Sequence, residues 1–108
     1  MKIPDKIRIG GVEYKIVRTQ NLNTGYEMAY GHIDFEKSII ELTGNLDTET
    51  CHQKLCLILL HEILHGIREH AGLEIENEEE IVNIYAKGLY QVLQDNGGRL
   101  FDLKGANG

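Results

Sequence analysis

Residues Leu57 to Ile67, LILLHEILHGI, set the strongest constraint on what this chain can fold into and do. The run is apolar except for His61, Glu62 and His65, which stand in the order H-E-x-x-H. On an α-helix the two histidines lie one turn apart and about 40° apart in azimuth, so both imidazoles can close on one small cation. A shuffled chain of this composition would hold the pattern roughly once in 40 cases, so the surrounding sequence must supply further support.

The pattern predicts a helix from about Thr48 to Ala71, capped by Asp47 at its start and by Gly72 at its end, with Glu49 favourable in the first turn. At 100° per residue, Arg68, His61, His65, Glu69 and Glu62 share one arc. Leu55, Cys56, Leu59, Leu60, Ile63, Leu64 and Ile67 fill the opposite arc, which is assigned to the core. His52 and His70 fall on the far side from His61 and are read as packing or surface residues, as is His32 in a predicted strand.

Upstream, Lys6–Ile9 and Val12–Arg18 flank Gly10-Gly11 and predict a hairpin. A second pair, Met28–Phe35 and Ser38–Leu42, surrounds Glu36-Lys37, and the polar stretch Gln20–Gly25 joins the two. Downstream, Asn77 with Glu80 reads as a capping box opening a second helix, about Glu78 to Asn96. Val82, Tyr85, Ala86, Leu89, Val92 and Leu93 give that helix one apolar face. The fold class expected is α+β, one domain over residues 1–96, with 97–108 a loosely held tail.

Charge narrows the function. The chain has 11 Lys plus Arg against 17 Asp plus Glu, net −6, which argues against a nucleic-acid or anionic-membrane surface. The opening MKIPDKIRIG has charges and the only Pro where a signal peptide would be apolar, and no apolar segment is long enough to span a membrane. Cys51 and Cys56, five residues apart on the expected helix, point about 140° apart and are read as packing thiols in a reducing cytoplasm.

A catalytic zinc takes three protein ligands and leaves one position for water. His61 and His65 supply two, and Glu62, beside the cation, suits a general base acting on that water. The extended H-E-x-x-H-x-x-G-x-x-H pattern would need Gly and His where Arg68 and Ala71 stand, so a third His is excluded. The acidic stretch EIENEEE opening the second helix is the obvious source of the third ligand, and helix geometry admits both Glu78 and Glu79.

HEILH followed by E-x-x-V-N-x-Y-A, residues Glu79 to Ala86, resembles the zincin metallopeptidases whose third ligand is a glutamate, especially small prophage-encoded ImmA/IrrE-like members. The resemblance covers about Lys6 to Asn96 and implies a minimal zincin-like fold, an antiparallel-rich sheet packed on the motif helix and a glutamate helix. It makes Glu79 the third ligand to one Zn²⁺ and Asn83 the residue that orients a ligand histidine, most naturally His61. It implies a strand edge beside the cleft, either Met28–Phe35 or Ser38–Leu42, the former favoured because Gly31 permits close approach, and an oxyanion stabiliser drawn from Arg68, Tyr30, Tyr85 and Tyr90. The activity implied is zinc-dependent hydrolysis of peptide bonds in a cytoplasmic protein, such as a repressor. A competing class is a non-catalytic, zinc-stabilised prophage adaptor or antirepressor module, in which the metal only ties the helices together.

Overall fold

Gly10 and Gly11 both take positive φ, 59° and 82°, the conformation that lets a two-residue turn follow the twist of its flanking strands. They join β1 (Lys6–Ile9) to β2 (Val12–Thr19) in an antiparallel hairpin with Ile9 paired to Val12. This is the hairpin expected from the sequence. The computed structural model of the chain describes residues 2–22 and 29–97. Met28 and most of the expected tail, from Gly98 on, lie outside the described residues.

The second hairpin also forms, as β3 (Gly31–Asp34) and β4 (Ile39–Thr43). Its turn is longer than the Glu36-Lys37 pair alone. Asp34 Oδ1 accepts from the backbone N–H groups of Glu36 and Lys37, and Ser38 takes a φ of 56°. The order β1-β2-β4-β3 gives a mixed sheet, because β2 pairs with β4 in parallel. Both hairpins are therefore stitched together through one parallel seam, and β3 is left on an open edge.

Two helices complete the α+β architecture, α1 (His52–Ala71) and α2 (Glu78–Asp95). The core lies between the sheet and α1, with Ile40, Leu42, Leu55 and Tyr14 almost wholly buried and Ile9, Ile33 and Leu59 beside them. Gly66 lets α1 approach the sheet, since a Cβ there would sit 2.9 Å from Ile9 Cδ1 and 3.2 Å from Ile33 Cδ1. Gly72 ends α1 in the left-handed conformation, as expected.

Three local expectations need correction. The helix begins at His52 rather than Thr48, because Asp47 closes a separate turn: its Oδ2 accepts from Thr50 N–H and Oγ1–H, and its carbonyl accepts from Cys51 N–H. Asn77 does not form a capping box; it takes a φ of 59° and makes no side-chain cap bond. Ile67, assigned to the core arc, is 52% exposed. A two-sided wheel cannot represent α1, which packs on the sheet along one arc and on α2 along another, leaving Ile67 at the lip of an apolar groove with Leu73, Ile81 and Tyr85.

The cysteines are free, Cys56 buried and Cys51 half-buried. His70 is held by Tyr14, whose hydroxyl lies 2.7 Å from its Nε2, and His52 Nε2 lies 3.4 Å from Cys56 Sγ. Both histidines are remote from the motif face, as the wheel required. No helix among the described residues is long and apolar enough to cross a membrane.

Candidate metal centre

Because α1 and α2 are joined by a short link, they run side by side in opposite directions, and the first turn of α2 meets the motif turns of α1. His61 Nε2 lies 2.6 Å from Glu79 Oε1, and His65 Nε2 lies 3.1 Å from Glu79 Oε2. The two Nε2 atoms are 3.2 Å apart. Ligand atoms of His61, His65 and Glu79 all fall within 4.8 Å of one another, a group that could hold a metal ion.

The donor set fits a divalent cation. Two imidazole nitrogens and one carboxylate oxygen converge from two helices, and this mixture is the one zinc accepts in sites that keep an open position. Glu79 is 70% exposed along its side chain, so the point of convergence opens to solvent on that flank. The two imidazoles are much less exposed.

Glu62 lies on the closed flank. It is 8% exposed and sits beneath the β3 edge, where a Cβ on Gly31 would come within 3.0 Å of its Oε2. Burial, opposed by the nearby His65 and reinforced by Glu79, pushes its carboxyl up to about 7. Among the described residues no hydrogen bond reaches that carboxyl, so no protein donor there offsets its desolvation.

Two clefts meet at this point. One, of about 300 Å³, is lined by Tyr30, Gly31, Leu57, Ile58, Glu62 and Asn83 with His61 and Glu79. The other, of about 320 Å³, continues past His32, Ile33 and Phe35 toward His65 and Arg68. Together they follow the outer edge of β3. Gly31 is what allows this, for a side chain there would collide with Ile58 Cγ2 at 2.6 Å.

The remaining candidates fall into distinct places. Glu78, the alternative to Glu79 as third ligand, turns to the other side of His65: its Oε2 accepts from Nδ1 at 2.6 Å, and its Oε1 faces Arg68 Nε at 3.0 Å. The contact with His65 leads, and then that with the Arg68 guanidinium, in holding the Glu78 carboxyl below the usual carboxylate range. Arg68 lines the second cleft, but its guanidinium is engaged by Glu78, by Glu69 at 3.1 Å and by the Leu73 carbonyl. Asn83 borders the first cleft, yet no hydrogen bond joins it to His61.

The tyrosines separate by distance. Tyr30 lines the first cleft with its ring under Lys54 Nζ at 4.3 Å. Tyr85 lies on the apolar groove instead, 66% exposed. Tyr90 is eleven residues beyond Glu79, about 16 Å along the helix, and sits beside Cys56, where burial and the neighbouring thiol push its phenol up. It does not line either cleft. His32 and Phe35 were not singled out for the cleft; the sequence marked their strand but not which of its side chains would flank the motif.

Compared with known proteins, the chain matches no protein-family model, no curated protein and no solved structure.

Proposed function

We propose that the chain is a zinc-dependent peptidase of minimal zincin-like form, acting on an extended segment of a cytoplasmic protein, with a repressor the kind of substrate its ImmA/IrrE-like resemblance implies. The observation that carries this reading is the convergence of His61, His65 and Glu79 beside a buried, near-neutral carboxyl under an open sheet edge. A divalent cation bound by the three residues would supply Lewis acidity toward water and a substrate carbonyl. Glu62 then accepts the proton at its carboxylate and returns it to the leaving amine, a task suited to a group that titrates near neutrality. The edge of β3 can pair with substrate backbone, and the two clefts meet the side chains on either side of the scissile bond.

The test combines metal analysis with peptide turnover. Wild-type protein should contain one zinc per chain, and His61→Ala, His65→Ala and Glu79→Ala should each lose it. Glu62→Gln should keep the metal while turnover falls by about 10²–10⁴-fold. Full turnover by Glu62→Gln would remove the catalytic reading.

One observation favours the second reading, a zinc-stabilised adaptor or antirepressor module. Among the described elements α2 packs only on α1, so a cation shared between them would be its main fixture. In that case the biological activity survives Glu62→Gln and is lost with Glu79→Ala.

A further inference from the structure

We propose that Glu78, clamped by Arg68, is a positioning residue that fixes the ring orientation and tautomer of His65, so that Nε2 presents its lone pair to the convergence point. A neutral imidazole carries one proton, and the nitrogen that holds it is set by the partner it meets. At Nδ1 that partner is the Glu78 carboxylate, 2.6 Å away, which has no hydrogen to give. Nε2 meets the Glu79 carboxylate at the longer distance of 3.1 Å, so the shorter contact keeps the proton on Nδ1 and leaves the Nε2 lone pair toward Glu79 and His61.

Arg68 makes the arrangement rigid. Its Nε approaches the second Glu78 oxygen at 3.0 Å without its hydrogen aimed along that line, so the contact is an ion pair rather than a directed bond. A second anchor runs from Nη2 to Glu69 at 3.1 Å. Arg68 lies three residues after His65 on α1, and Glu78 is the first residue of α2. The chain Arg68, Glu78, His65 thus leaves α1, crosses to α2 and returns to α1. It locks the ring from the side opposite the proposed cation.

Among the described residues His61 has no such support, its side-chain neighbours at bonding distance there being Glu79 and His65, both members of the convergent group. The two imidazoles are therefore unequal: His65 is preset and His61 adjusts. The resemblance assigned the orienting role to Asn83 acting on His61, and the geometry assigns it to Glu78 acting on His65.

The consequence for metal affinity rests on the metal reading above, whereas the tautomer can be measured on metal-free protein. Histidine-labelled, chelated protein examined by long-range proton–nitrogen correlation at alkaline pH should show His65 protonated at Nδ1. Glu78→Ala should convert it to a mixture of tautomers, and Glu78→Gln, whose amide oxygen can still accept from Nδ1, should restore much of the wild-type signature. Zinc affinity, measured by competition with a chromophoric chelator, should fall about 10–100-fold in Glu78→Ala and less in Glu78→Gln. An unchanged His65 signature in folded Glu78→Ala would overturn the proposal. If the wild type binds no zinc, the metal reading fails, and the tautomer result decides the positioning role by itself.

Discussion

At the scale of the residue, Glu62 is a carboxyl held largely away from water. An ordinary glutamate carboxyl titrates near 4.5, and here burial pushes it up to about 7. Between those values the folded, metal-free protein holds the proton and the unfolded chain has lost it, so stability falls as pH rises through this interval and levels off above it. The difference corresponds to about 3 kcal/mol. Glu62→Gln, which cannot ionise, should stabilise the chelated protein by up to that amount at pH 8 and by little at pH 4, as read from urea unfolding at both values. Equal effects at the two pH values would show that Glu62 is not held neutral. The sequence showed where Glu62 stands and what it could do, because helix azimuth depends only on spacing. It did not show the burial, because the covering group is a strand some thirty residues away whose decisive feature is the missing side chain of Gly31. Glu78 was ambiguous for a related reason: adjacent glutamates look alike until Asn77 sets where α2 begins.

At the scale of the element, two glycines bring α1 onto the sheet, with different tolerances. A Cβ at Gly31 would lie 2.6 Å from Ile58 Cγ2, a branch methyl fixed close to the α1 backbone. At Gly66 the nearest atoms are the terminal methyls of Ile9 and Ile33, at 2.9 and 3.2 Å, which can swing aside. Gly31→Ala should cost about 1–3 kcal/mol by forcing β3 away from α1. Gly66→Ala should cost less, since better helix propensity returns about 1 kcal/mol. Urea midpoints of the two variants give the comparison, and a Gly66→Ala loss equal to or larger than that of Gly31→Ala would contradict this account. The hairpins were legible because Gly10-Gly11 and the alternation around it are local signals. The parallel pairing of β2 with β4 was not, since nothing in either strand names its partner across the sheet. The start of α1 was misplaced by a real capping residue, Asp47, that closes a turn just before the helix.

At the scale of the whole molecule, the parts that hold the fold and the parts that would react are unevenly joined. The central cluster of Ile9, Tyr14, Ile33, Ile40, Leu42, Leu55 and Leu59 draws on the sheet and α1 and on no residue of α2. α2 contributes only Val82 and Ala86 as buried residues, and among the described elements it meets α1 alone. On the metal reading, zinc at 1,000 times its dissociation constant should add about 4 kcal/mol of stability. Hydrogen exchange should place that gain mainly in α2, with its amides exchanging first after chelation and those of β2 and β4 last. Uniform loss of protection across both helices and the sheet would mean that α2 is integral to the core. The division falls near Gly72, where α1 ends. On one side lies a scaffold that carries two imidazoles and a carboxyl already in place. On the other lies a helix whose first two residues, Glu78 and Glu79, make the polar contacts with those imidazoles that cross the divide among the described residues. On the metal reading, swinging that one helix outward would therefore dismantle the convergent group of His61, His65 and Glu79 while leaving the scaffold standing, a way to release the cation without unfolding the sheet.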